Sequence, residues 1–329
     1  RCVYWPDAFW HWIPSVIWEI SQRRNNHYDL VVSYYPCMGA HFAAALLKFW
    51  SKSSSLIWIA DYGDPFSIST SMPPNNFLIY GFINRLIEKK IVGNADYLTF
   101  TNDMTTKAYR DAFLFKDKAM TIPHLVSINQ FYTKASNSNN NNLSQKNNES
   151  VTNLIYIGGF HPKIREPDLL FKTIKMLNHN TSHHFILKIY GPQNGFCLSP
   201  EDCPQIKYMG MIDREKVMKL MQESDVLVNV DNINCAMTPS KLVECIGTGK
   251  PLLNIASNSN TSKTLTSYIE AGFAFNIEDK MLCKEKISLL REFLRNMGNS
   301  VAPIELVKVI LRDNELETVA DSYLKLAVK

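Results

Sequence analysis

The stretch Thr238-Pro239-Ser240-Lys241-Leu242-Val243-Glu244, followed by Gly249-Lys250-Pro251, decides how this chain is read. Thr238 is a helix-capping residue type, and Pro239 suits a first helical turn. A helix starting there turns free backbone N–H groups and Lys241 toward one spot, which suits an anion. Without an anion, a lysine in the first turn opposes the helix dipole. Glu244 follows one turn later, among Val243, Cys245 and Ile246. A carboxylate in such apolar company needs donors, and a pair of hydroxyls supplies them. Phosphate and diol together describe a nucleotide. Gly249-Lys250-Pro251 then stops the helix, and the apolar run Leu252–Ala256 reads as a strand.

The same alternation extends in both directions. Leu154–Gly159, Phe185–Gly191, Ile206–Gly210, Val226–Val230 and Phe273–Ile277 are further strand candidates, with helical stretches over Pro167–Asn178 and Arg214–Glu223. Strands separated by helices give a parallel sheet covered on both faces, so residues 151–300 read as a doubly wound domain. In residues 1–132, Leu30–Tyr35, Leu56–Ala60, Tyr97–Thr101 and Ala119–Pro123 read as strands, with helices over Ala40–Trp50 and around Phe82–Gly93. Residues 133–150 are dominated by Asn and Ser without periodic apolar positions and read as a linker; a surface insertion is the plainer alternative. From Lys280 the pattern is helical, broken near Gly298–Pro303, and 301–329 form a C-terminal helical segment. The expected fold class is α/β, two Rossmann-like doubly wound domains facing a cleft.

Bulk properties narrow the function. A length of 329 residues accommodates two domains, and 46% hydrophobic residues supply their cores. A net charge of +4 is too mild to imply a nucleic-acid partner. No apolar run approaches the ~18 residues of a transmembrane helix. Seven cysteines without a C-x-x-C pair argue against a zinc site or a disulfide framework. They read as reduced, mostly buried thiols of a cytoplasmic protein.

Other residues carry chemistry of their own. Gly158-Gly159 at the end of a strand allow a phosphate or sugar to approach the backbone, although a plain turn needs them equally. They lack the G-x-G-x-x-G spacing of a dinucleotide site, which argues against NAD. Arg165, before Glu166-Pro167, is placed to clamp a diphosphate, with a surface arginine as the alternative and Lys163 as a weaker neighbour. Asp61 and Asp64 end a buried strand within Trp58–Phe66; they suit an acceptor site, turn capping or, less readily, a metal. His124 is a lone histidine after Ile122-Pro123. The aromatic group Tyr4, Trp5, Phe9, Trp10, Trp12 and Trp18 reads as core, with a sugar or membrane surface as the alternative.

These stretches resemble the GT-B fold glycosyltransferases of family 4, the retaining group that builds bacterial surface polysaccharides. The similar segments are Trp58–Phe66, Thr121–His124, Ile155–Arg165 and Pro239–Pro251. The resemblance implies transfer of a sugar from a UDP- or GDP-linked donor to a glycan or lipid-linked acceptor, without a metal or any cofactor beyond the substrate nucleotide-sugar. It implies that Gly158, Gly159, Arg165, Ser240 and Lys241 hold the donor diphosphate and Glu244 the ribose. Met211 and Ile212 then lie by the base, and Asp61 and Asp64 are the catalytic candidates on the acceptor side. It also implies a cytoplasmic site with transient contact to the inner face of the membrane. Three features depart from the pattern. The family's first glutamate is Ala236 here, the arginine of its Asp-Arg-Asp segment is Gly63, and its opening strands and glycine-rich loop are expected before the position of Arg1. A non-catalytic subunit of the same fold and a nucleotide-sugar 2-epimerase are the alternatives.

Overall fold

The computed structural model describes residues 5–23, 28–51, 55–70, 72–113, 115, 117–132, 151–196, 203–233, 240–256, 262–298 and 300–328. The Thr238 cap, Pro239, Ala236, Tyr4 and the 133–150 linker therefore lie outside the described residues. In chain order the first elements are α1 (Ile13–Gln22), β1 (Leu30–Tyr35), α2 (Met38–Trp50), β2 (Ile57–Tyr62), α3 (Phe77–Val92), β3 (Tyr97–Phe100), α4 (Asp103–Phe113) and β4 (Ala119–Thr121). Then come β5 (Val151–Ile157), α5 (Asp168–Leu177), β6 (His184–Tyr190), β7 (Ile206–Gly210), α6 (Arg214–Glu223), β8 (Val226–Val230), α7 (Lys241–Gly247) and β9 (Leu252–Ala256). The chain ends with α8 (Lys263–Glu270), β10 (Ala274–Glu278), α9 (Lys284–Met297), α10 (Ile304–Ile310) and α11 (Leu316–Ala327).

The chain divides into two compact units. One comprises the described residues up to Pro123 together with those from Val319; the other comprises those from His124 to Thr318. Residues 301–318 thus pack with the second unit and the rest of α11 with the first.

The first unit holds a four-stranded parallel sheet in the order β1-β2-β3-β4. Trp58, Tyr62, Phe100 and Tyr109 fill one side, while Ile59 and Ile122 on the other are covered by Val319 and Leu326 of α11. β2 and β3 are largely covered on both faces and read as apolar runs, whereas the edge strand β1 leaves Val32 and Tyr34 exposed. The N-terminal aromatics depart from the core role expected of them. Trp5 packs near Phe42, but Phe9, Trp10, Trp12 and Trp18 are exposed and α1 buries none of its side chains. The cause is position: α1 and the turn before it pack chiefly on α2, so one narrow contact cannot cover four large rings.

The second unit holds a six-stranded parallel sheet in the order β10-β9-β8-β5-β6-β7, the nucleotide-fold order that reverses between β5 and β8. Alternate residues of β5 serve opposite faces: Leu154 and Tyr156 pack with Leu170, Ile174 and Leu290, and Ile155 packs with Leu242, Ile246 and Leu252. β8 and β9 are buried at every residue, yet each carries an asparagine. The parallel register aligns Asn229 with Asn254 and Asn254 with Asn276. Asn229 donates to Asn254 (2.6 Å), Asn254 to Asn276 (2.8 Å) and Asn276 to Glu278 (3.0 Å), giving a polar rung across three strands. At its other end Asn229 and Asn254 also donate to Asp231.

α7 ends as its sequence predicts. Gly249 takes φ +74° and donates to the Ile246 carbonyl (2.9 Å), a left-handed exit that leads directly into β9. Of the described cysteines, all free, Cys203 and Cys245 are buried, Cys37 is half-buried and Cys283 is exposed. The expectation of mostly buried thiols therefore holds for only two of them.

Candidate functional site

The carboxyl ends of β5 and β8 diverge at the point where the strand order reverses, and a pocket opens there. Open α/β sheets bind ligands at such points. Tyr156 and Ile157 of β5, Asn229 and Val230 of β8, and the side chains of Arg165 and Lys241 line it. Two cations separated by 76 positions in the sequence therefore meet at one pocket.

The glycines after the strands set the pocket rim. Gly158 donates to the Tyr190 carbonyl at the end of β6, and Gly191 donates to the Gly210 carbonyl at the end of β7, both at 2.9 Å. Gly191 adopts φ +145°, and a Cβ there would lie 2.2 Å from the Gly158 oxygen. Only a residue without a side chain lets these strand ends close together. Gly191 was not among the sequence candidates; its signal is a glycine directly after an apolar strand, the same signal that marked Gly158.

Arg165 closes a tight turn. The His161 N–H donates to the Arg165 carbonyl (2.9 Å) and the Arg165 N–H to the His161 carbonyl (2.8 Å), with Lys163 at φ +66° between them. The Lys163 N–H donates to Glu166 (2.7 Å), so Glu166 holds the turn rather than facing the pocket's cations. The guanidinium donates twice to the Asn232 side-chain oxygen, from Nε at 3.0 Å and Nη2 at 2.7 Å. Asn232, just past β8, is a positioning residue the sequence reading missed; a polar pair, Asp231-Asn232, immediately after a wholly buried strand is the available signal. Burial pushes the Asp231 carboxyl up, against the opposing pull of Asn254, Asn229 and Arg165. Burial also pushes the Tyr156 phenol up, opposed by Arg165, and pushes His161 down, with Arg165 adding to the effect.

Lys241 opens α7, and its ammonium donates to Glu244 at 2.7 Å. Arg214 reaches the other Glu244 oxygen at 3.6 Å. The Glu244 side chain is 18% exposed and that of Lys241 31%. Ser240 precedes the helix, is exposed, and makes no capping bond through its side chain. α7 spans seven residues, so the cationic side chains rather than a long helix dipole supply the positive charge. Cys245 lines the same pocket, and burial, with Glu244 adding, pushes its thiol up to about 12. It is a neutral thiol near pH 7, not a nucleophile.

The remaining candidates are less concentrated. Ile212 packs among apolar residues around α6 and α7, whereas Met211 is 77% exposed. In the first unit, Asp61 accepts from Thr99 (2.7 Å) and from the Tyr323 phenol of α11, so it is tied into the sheet. Asp64 is exposed. Tyr34 lies beside both: burial raises its phenol, and Asp64 and Asp61 raise it further. His124 offers its carbonyl to Asn314 (2.7 Å) as part of the second unit's framework.

No protein-family model matches the sequence, and no curated protein is found similar to it. Solved structures are similar in fold. Sucrose-phosphate synthase from Thermosynechococcus elongatus shares 13% identity over 97% of this chain and 78% of that one, with a TM-score of 0.63. HepE from Anabaena, in complex with UDP, shares 12% identity over 97% of this chain and 83% of that one, also with a TM-score of 0.63. A glycosyltransferase from Rickettsia africae shares 10% over 99% of this chain and 83% of that one, with a TM-score of 0.62. With its two parallel sheets and the strand order of the second, the chain has the two-domain GT-B fold.

Proposed function

We propose that this chain is a glycosyltransferase that moves a sugar from a UDP- or GDP-linked donor to a glycan or lipid-linked acceptor. The observation that carries the reading is the meeting of Arg165 and Lys241 at the strand-order reversal, with Glu244 beside Lys241. In this reading the leaving diphosphate lies against Arg165, Lys241, Ser240 and the backbone of Gly158-Gly159. Glu244 exchanges its lysine partner for the ribose hydroxyls, and Met211-Ile212 flank the base. Fixed cations aimed at the departing phosphate lower the barrier where charge develops, so the proposed site works without a metal. Transfer proceeds with retention, the acceptor attacking on the face the diphosphate leaves, and needs no protein nucleophile. Asp61 and Asp64 serve the acceptor. The proposed setting is surface polysaccharide synthesis at the inner face of the cytoplasmic membrane, with peripheral contact to it. The UDP bound in HepE supports the donor class.

A thermal-shift panel of nucleoside diphosphates tests the reading. A ligand at a hundredfold excess over its Kd stabilises by about 2.7 kcal/mol, so UDP or GDP raises the melting midpoint. No shift with any nucleoside diphosphate sinks the proposal. Binding without sugar transfer to any acceptor favours the non-catalytic subunit.

A further inference from the structure

α3 is turned inside out for a helix on the surface of a globular unit. Asn76 caps it by accepting from the Leu78 N–H (3.1 Å). Its buried stripe is Asn84, Glu88 and Val92, two of them polar. Asn84 exchanges hydrogen bonds with Asn75 at 2.9 and 3.2 Å and accepts another from the Trp5 indole at 3.1 Å. Glu88 accepts from the Tyr109 phenol (2.8 Å) and from Ser67. These buried partners fix the rotation of the helix, so its outward face is set by the core and not by chance. That face presents Leu78, Ile79, Phe82, Ile83 and Leu86; Leu78 is 95% exposed and Phe82 75%. A helix facing water puts its apolar stripe on the core instead.

Charge identifies what covers it. Arg85, Lys89 and Lys90 lie on the same exposed arc, and the helix's one carboxylate, Glu88, is buried on the opposite side. Arg85 is held over the Phe113 ring with its Nη2 on the Ala112 carbonyl, so its charge stays close to the helix. A second copy of the same face brings these three cations against three more. An anionic lipid surface meets both properties: acyl chains take the apolar residues and headgroup phosphates take the cations. The exposed Trp10, Trp12 and Trp18 belong to the same unit, and α1 and α3 both pack on α2. Tryptophan is the residue type that favours a membrane–water boundary. Among the described residues no helix is long and apolar enough to cross a membrane, so the contact is a surface one.

We infer that the outer face of α3 docks on a bilayer rich in anionic phospholipid. The inference rests on the peripheral contact proposed above and names its surface and lipid class; it does not depend on the transfer reaction.

Co-sedimentation with vesicles of phosphatidylcholine alone, and of phosphatidylcholine with phosphatidylglycerol in equal parts, tests it. The chain binds the mixed vesicles, and binding weakens as salt rises from about 0.05 to about 0.5 M. Leu78→Asp with Phe82→Asp lowers partitioning at least about tenfold with the melting midpoint unchanged, since both side chains are already in water. Lys89→Glu with Lys90→Glu removes the preference for the anionic vesicles. Vesicle binding that both double variants retain overturns the assignment to α3 and leaves peripheral contact standing. Wild-type chain that binds neither vesicle overturns both. A wild-type dimer that Leu78→Asp with Phe82→Asp dissolves, without vesicle binding, assigns the face to a second copy.

Discussion

The Lys241 ammonium and the Glu244 carboxylate are bonded to each other at 2.7 Å, so the groups proposed for diphosphate and ribose form one ion pair before a ligand arrives. Such a partly exposed pair at i, i+3 on a helix contributes under about 1 kcal/mol to stability. Its value is to keep a desolvated carboxylate and a cation in place until donors and an anion replace them. Lys241→Ala therefore weakens binding of nucleoside diphosphate and inorganic diphosphate alike. Glu244→Gln weakens only the nucleoside diphosphate. Each loss is about tenfold or more, from ~1.5–3 kcal/mol per charged hydrogen bond. Calorimetric titration of both ligands separates the roles. Equal losses for both ligands in Glu244→Gln remove the ribose assignment.

Arg165 owes its aim to Asn232, which takes two of its N–H groups. Arg165→Lys keeps a charge but loses the fork, and diphosphate affinity falls about tenfold. Asn232→Leu leaves the arginine in place but unheld, and affinity falls by less. Thermal shifts with UDP and GDP read both variants. An Asn232→Leu chain with undiminished shifts removes its positioning role.

Gly191→Ala puts a methyl group into the Gly158 carbonyl at a backbone angle that L residues rarely adopt. Strain and overpacking together cost about 2–5 kcal/mol. Urea unfolding measures the loss, and an unchanged midpoint contradicts the close approach of the two strand ends.

Two buried groups of the first unit make its stability depend on pH with opposite signs. The His41 Nδ1 lies 2.7 Å from the Ser33 oxygen, which also accepts from the Trp58 indole at 2.8 Å. The His41 Nε2 is buried and has no hydrogen-bond partner among the described residues, so a second ring proton has nothing to bond there. Burial lowers the His41 pKa to about 3, against 6.5 ordinarily. The unfolded chain takes a proton below 6.5 and the native chain does not, so stability is lost as pH falls from there toward 3. The slope is up to about 1.4 kcal/mol per pH unit. Burial raises the Glu88 pKa above its ordinary 4.5. The native chain holds that proton after the unfolded chain has released it, so stability falls as pH rises above 4.5. Urea unfolding across this range shows His41→Gln flattening the acid limb and Glu88→Gln the neutral limb. Parallel profiles for wild type and both variants contradict this account.

β8 and β9 were legible because parallel strands buried on both faces are plain apolar runs, and β1 because its Val and Tyr residues favour strands even where Val32 and Tyr34 are exposed. β1, β7, β8 and β9 have the bounds expected of them. β5 begins earlier than its apolar run, since Asn153 pairs with Asp225 through backbone and side chain, a partner 72 residues away. α4 escaped notice although Asn102 caps it by accepting from the Thr105 N–H, because its buried stripe begins with Thr105 and Thr106 and turns aromatic only at Tyr109 and Phe113. At the site, Lys241 and Glu244 were legible as chemistry but not as a pair: a spacing of three fits two groups on one ligand and equally two groups on each other. Asn232 stayed hidden because its role exists only once β5 and β8 are neighbours. The outward face of α3 was hidden for a related reason. Its apolar residues look like core until Asn84 and Glu88 find partners elsewhere in the chain.

The rung of Asn229, Asn254 and Asn276 has a consequence for how this sequence can drift. Each amide completes the next, so losing one alone strands its neighbours in a dry interior. Losing all three to aliphatic residues leaves strands free to slide past one another, because nothing else in β8 and β9 distinguishes one apolar position from the next. The three positions are thus a single heritable trait, a ruler that measures the alignment of half the second sheet, and a change at one of them is not tolerated alone.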